Sequence, residues 1–188
     1  MKKIFLLAAA VLVSVQLCAK APGGWENKID KAKIKAQSAG KPIFIVISGA
    51  EWDKRSQAFE KQLFENKNFL KLAGKYAVCV YIEHPETPGG KEKAEIDKCS
   101  ELFGEKLTLP ACAVTNAELT AVGPGSKIKT GVLEILGAIS TASVEIGGAE
   151  MKELPKLKAQ FEKEAQKKEK EKEKREKKKK KRKKEQED

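Results

Sequence analysis

Two uninterrupted apolar runs constrain this chain more than any other feature. Pro42 to Ser48 reads PIFIVIS and Ala77 to Glu83 reads AVCVYIE. Runs so rich in β-branched and aromatic residues, without polar alternation, are strands buried on both faces, the pattern of a parallel sheet. Parallel neighbours need a crossover, and the intervening residues supply one. Asp53 is a good N-cap for a helix to about Glu65, and Asn66 caps a shorter helix carrying Phe69, Leu70 and Leu72 that ends at Gly74. Upstream, Trp25, Ile29, Ala32 and Ala36 fall at helical spacing, and Gly40 with Pro42 ends that helix. Downstream, His84 to Gly90 is a loop and Lys91 to Phe103 a helix with Ile96, Cys99 and Leu102 inward. Ala111–Thr115 and Leu119–Val122 form a hairpin turning at Asn116-Ala117-Glu118, and Val132–Ile139 is a last helix. The order α, β, α, β, α, β, β, α predicts an α/β domain whose mixed sheet of about four strands is flanked by helices.

Charge divides the chain. Of 188 residues 38 are basic and 27 acidic, a net charge of +11. Residues 162–188 hold 15 basic and 9 acidic residues, net +6, and residues 1–21 carry net +3. The rest is nearly balanced at net +2, so high overall basicity is no sign of a nucleic-acid-binding domain. Met1-Lys2-Lys3, the apolar run Ile4–Leu17 and the small residues Ala19 and Ala21 have the three parts of a secretory leader, cut after Ala19 or Ala21. The run is too short for a comfortable membrane span, so none is expected once residues 1–21 are removed. Leu17 fits lipid attachment at Cys18 poorly. The expected organisation is leader 1–21, domain 22–145, linker or helix 146–161 and a Lys/Glu-rich tail 162–188. The protein is then exported, periplasmic or secreted.

Once the domain is placed, its residues resemble a known family. The path from Trp25 through Lys41-Pro42-Ile43-Phe44-Ile45-Val46, Ser48-Gly49 and Trp52 into a helix is similar to exported bacterial members of the thioredoxin superfamily. Leu109-Pro110-Ala111 stands where that family keeps a cis-proline, and Asn116-Ala117-Glu118 at its hairpin turn. The resemblance covers about residues 25–140 and implies a thioredoxin-like fold. It also implies a protein-contacting groove of Trp52, Asp53, Leu109 and Pro110. The departure is chemical. Where the family carries Trp-Cys-x-x-Cys, this chain has Trp52-Asp53-Lys54-Arg55-Ser56. Dithiol–disulfide exchange needs a thiolate to attack and a second thiol to release the mixed disulfide. A carboxylate and a hydroxyl do neither, so the oxidoreductase activity is not carried over and no catalytic residue is assigned. Asp53 is explained as an N-cap, its charge suited to a helix N-terminus.

The expected function is a non-catalytic binding or scaffold module for an unidentified protein partner. An alternative is redox chemistry by an atypical thiol, with Cys99 and Cys112 as candidates and a bridge between them conceivable. Cys79 and Cys112 fall on strands separated by the Pro42–Ser48 strand, which disfavours their pairing. One His, no C-x-x-C and three cysteines after the leader imply neither metal nor cofactor. In the tail, Glu171–Arg175, Glu173–Lys177 and Glu176–Lys180 are favourable i,i+4 pairs, which predict a helical first half. Lys177, Lys178, Lys179, Lys180, Lys181, Arg182, Lys183 and Lys184 are expected to repel into an extended segment. That segment is either a disordered, solubilising tail or an attachment to an anionic surface: lipid headgroups, lipopolysaccharide or wall polymer. Nucleic acid is disfavoured because no aromatic residue interleaves the run.

Overall fold

The computed structural model describes residues 21–104, 107–122 and 131–187. The leader assigned to residues 1–21 therefore lies, apart from Ala21, outside the described residues. The centre is β1 (Ile43–Ser48), with β2 (Val78–Glu83) parallel on one side and β3 (Ala111–Thr115) antiparallel on the other. All six β1 residues are buried, as an unalternating run requires. Phe44 and Val46 point into one core layer with Cys79, Tyr81, Cys112 and Val114. Ile43, Ile45 and Ile47 point into the other with Val80, Ile82 and Ala113. The period-two alternation of a strand thus feeds two separate cores.

The first layer is closed by α2 (Lys54–Phe64), α3 (Lys67–Tyr76) and α6 (Val132–Glu145), the second by α1 (Ile29–Ala39) with α4 (Gly90–Asp97) and α5 (Ser100–Phe103). Asn66 caps α3 by accepting from the Phe69 amide at 3.0 Å. Gly40 ends α1 in the left-handed region at φ 58°, its N–H donating to Ala36.

Four sequence expectations are corrected. Among the described residues the sheet has three strands, not about four. Leu119–Val122 returns beside the end of β3 through an Ala121–Thr115 bridge and the Asn116-to-Thr120 and Val122-to-Val114 hydrogen bonds, and is not a strand of the sheet. The Asn116 side chain accepts from the Glu118 and Thr120 amides at 3.1 and 2.9 Å, and Leu119 sits at φ 65°, which bends the return leg out of a ladder. Second, Trp25 is not on α1. Glu26 runs extended beside β2, its amide donating to Cys79 and its carbonyl accepting from Tyr81, both at 2.9 Å. This sends Trp25 to the opposite core layer, edge-on to Phe44 and Phe64. Third, the helix expected over 91–103 breaks at Cys99, whose backbone leaves helical geometry while the residue is fully buried. Fourth, the basic run is not extended, because α7 (Leu154–Glu187) is one helix of 34 residues. Like-charge neighbours cost only a few tenths of a kcal/mol each on a helix. Elongating a helix already nucleated avoids the unfavourable first turn.

Nucleation comes from the core. Met151, Leu154 and Leu157 are buried in the layer of α2, α3 and α6, and Phe161 packs against it. Glu153 fastens the base of α7 to the end of α3, accepting from Lys75 Nζ at 2.6 Å and the Tyr76 hydroxyl at 2.8 Å. Gly148 lies so close to Gly40 and Ser143 that a Cβ there would stand 3.3 Å from the Gly40 carbonyl and 2.7 Å from Ser143 Oγ. The base of α7 is therefore fixed at the end of the sheet where β1 begins. Among the described residues, no helix is long and apolar enough to cross a membrane.

Candidate functional site

At the other end of β1 the chain turns sharply. The Trp52 and Asp53 amides both donate to the Gly49 carbonyl, at 3.1 and 2.7 Å. Glycine is required here by proximity, since a Cβ on Gly49 would lie 2.8 Å from the Trp52 ring. The indole is fixed from its far side as well, Nε1–H donating to the His84 carbonyl at 2.8 Å. Trp52 nonetheless stays 43% exposed. The result is a large aromatic surface held in one orientation at the mouth of the sheet.

Asp53 begins α2 as its N-cap. Oδ2 accepts from the Ser56 amide at 3.1 Å and from Ser56 Oγ at 2.8 Å, while Oδ1 accepts from Arg55 Nε at 3.3 Å. Partial burial works against the charge, but the Ser56 and Arg55 hydrogen bonds outweigh it and hold the Asp53 carboxyl below its ordinary pKa. Ser56 is fully buried, and its hydroxyl also accepts from the Gly49 amide at 3.2 Å. Both positions are saturated by each other and by the turn. Ser56 is shut off from any substrate, and His84 lies beside Trp52 with Nδ1 at 2.9 Å from the Pro85 carbonyl. Among the described residues, the Ser56 hydroxyl is bonded to Asp53 and the Gly49 amide and not to His84.

Leu109–Pro110 is a cis peptide. Ala111 pairs with Ile47, so Pro110 stands one register step further, beside Ser48. Of the expected groove, Trp52, Asp53 and Pro110 thus gather at the C-terminal end of β1. Leu109 precedes Pro110 at 8% exposure. Its side chain belongs to the second core layer. Sequence reading missed the neighbouring cavity of about 420 Å³ between the His84–Pro88 loop and α4–α5, lined by Ile47, Ile96, Phe103 and Leu107. Only the run of prolines and glycines after His84 hinted at an opening there.

It also missed Glu60, one helical turn beyond Ser56 and only 1% exposed. Oε1 accepts from the Tyr81 hydroxyl at 2.7 Å, and Oε2 has no hydrogen-bond partner among the described residues. Burial pushes its pKa up, against the opposing influence of the nearby Ser48 and Tyr81 hydroxyls. The helical spacing that puts Glu60 beside Phe59 and Leu63 was the only available signal.

Among the described residues Cys79, Cys99 and Cys112 are free and buried. Cys79 and Cys112 flank β1 on opposite sides, paired with Phe44 and Val46 respectively. Two strand spacings of ~4.8 Å exceed the reach of a disulfide. The Cys99–Cys112 bridge is corrected too, since the two residues belong to core layers on opposite faces of the sheet. Burial pushes all three thiols up to about 12, which leaves almost no thiolate near neutrality. Among the described residues no group of three His, Cys, Asp or Glu side chains converges on a metal-sized site.

The thioredoxin-like family model matches residues 24–117. No curated protein matches the chain. Among solved structures, the chain is similar to a DsbH oxidoreductase at 16% identity and TM-score 0.49, over 65% of this chain and 92% of that one. It is also similar to a disulphide isomerase from Xylella fastidiosa Temecula1 at 21% identity and TM-score 0.39, over 63% and 82%.

Proposed function

Because the chain belongs to the thioredoxin-like family, with no sulfur at either position where dithiol exchange would occur, we propose that it is an exported, non-catalytic module that binds another polypeptide. The observation that carries this is the turn at Gly49–Ser56. The aspartate–serine contact maintains the start of α2 without chemistry, while Trp52 stays exposed and immobilised. A pre-positioned tryptophan loses little conformational freedom when it contacts a partner, and such residues dominate binding energy at interfaces. The adjoining cavity offers an apolar recess for a partner side chain. An extended polypeptide carrying apolar side chains is the partner class this surface suits. Export follows from the leader-like first 21 residues.

The test uses the chain from Pro22 onward and a fluorescently labelled, reduced and carboxymethylated polypeptide, read by anisotropy. Binding is expected, with a loss of about tenfold or more in Trp52→Ala. Insulin-disulfide reduction by dithiothreitol should proceed no faster with the protein than without it. Acceleration of that reduction, or unchanged binding by Trp52→Ala, would overturn the reading.

A further inference from the structure

We propose that α7 holds the protein on an anionic lipid surface through Lys177–Lys184, by charge alone and without insertion. The claim is independent of the groove. The body of the chain is nearly balanced at net +2, so the basicity belongs to the tail. That tail is a structured arm, helical through Glu187 and rooted in the core by Leu154 and Leu157. At ~1.5 Å per residue, Lys177 lies about 24 Å along the axis from Phe161, the last residue seen to pack on the core. The charge is therefore carried well clear of the body.

The arrangement around the axis matters as much as the distance. Eight consecutive helical positions turn through about 800°, more than twice around the axis. A plane laid along such a helix meets about half of these positions, about four. At ~5-fold in partition per contacting cation, four contacts shift binding on the order of several hundredfold. The only apolar residue after Phe161 is Ala165. The helix thus has no apolar face to sink between acyl chains, unlike an interfacial amphipathic helix. The absence of aromatic side chains beyond Phe161 also removes base stacking. With a leader directing the chain out of the nucleic-acid-containing compartment, these features favour headgroups over nucleic acid.

The experiment is co-sedimentation of the chain from Pro22 onward with vesicles of phosphatidylcholine containing 30% phosphatidylglycerol, beside pure phosphatidylcholine. Binding is expected only to the anionic vesicles at 50 mM salt. It should fall by about a hundredfold as the Debye length shrinks from ~14 Å towards ~3 Å at 1 M. A variant with all eight residues of 177–184 changed to glutamine should lose binding while its circular dichroism still reports the helix. Absence of binding to anionic vesicles, equal binding to neutral ones, or retained binding by the glutamine variant would each overturn the proposal. A DNA duplex at equal phosphate concentration separates the other source of anionic charge. The protein should stay on the vesicles, and its transfer to the duplex would overturn the proposal in favour of nucleic acid.

Discussion

Replacing Asp53 with alanine tests whether this residue serves as structure in place of chemistry. The change removes the acceptor for the Ser56 amide and for the Ser56 hydroxyl. Loss of an N-cap costs about 0.5–2 kcal/mol. Ser56 is fully buried, so its hydroxyl proton is left without water to turn to, and an orphaned buried donor costs about 1–3 kcal/mol. The two losses share one carboxylate, so they overlap, and about 2–3 kcal/mol is the expected total. At ~2–4 °C per kcal/mol for a domain of this size, the melting temperature should fall by ~4–12 °C. Urea unfolding should show a lower midpoint at unchanged slope. Asp53→Asn keeps an acceptor and should lose under half as much. Asp53→Ala/Ser56→Ala should recover part of the loss, because it removes the orphan along with its partner. The pH dependence has a definite sign. The folded-state pKa of Asp53 is lowered from 3.8, so its stabilisation is present above that value and disappears as pH falls through the folded one. Asp53→Ala should flatten that acid limb. A single variant within ~0.5 kcal/mol of the parent at pH 7 would refute the reasoning.

Other outcomes follow from the same geometry. Asp53→Cys/Ser56→Cys should gain insulin-reducing activity, because it puts two sulfurs three residues apart at the start of α2, where a helix N-terminus favours a thiolate; an inert, folded variant would show that the groove itself does not support exchange. Glu60 is protonated more readily folded than unfolded. Its stabilising neutral form is complete below the ordinary value of 4.5 and is lost as pH rises through the folded pKa. Glu60→Gln should therefore match the parent at pH 4 and exceed it at pH 8 in urea melts, and parallel pH profiles would rule this out. Glu153 is held down to about 2, first by Lys75 and then by Tyr76, so the clasp on α7 should persist through mild acid and open only as pH falls towards that value. Glu153→Gln should expose the base of α7 to faster limited proteolysis at pH 7, and an unchanged cleavage rate would show that Leu154 and Leu157 hold it unaided.

What could be read from the sequence followed how local each signal was. The β1 and β2 runs are legible because burial on both faces leaves no polar residue to confuse the period. Asp53 and Asn66 are legible because capping is decided within three residues. Trp25 misleads because its helical spacing to Ile29 is genuine, while its position is decided by Glu26 pairing with a strand more than fifty residues away. The fourth strand fails through the Asn116 side chain, which captures amides that a ladder would have used. Glu60 is hidden because nothing in a charged helical stretch distinguishes the carboxylate that turns inward towards Tyr81 from those that face solvent. Self-repulsion would extend the basic run in isolation, but Leu154 and Leu157 supply the helix with a nucleus in the core.

The anchorage of α7 at Gly148 and Glu153 and the aromatic platform at Trp52 lie at opposite ends of β1, about 20 Å apart at ~3.3 Å per strand residue. Tension between a tethered tail and a captured partner would therefore run along the strands. The parallel β1–β2 hydrogen bonds would bear it side by side in shear, and none would open alone as the first tooth of a zip. Under the proposed tethering the domain would be a link loaded at two ends, with β1 along the line between them.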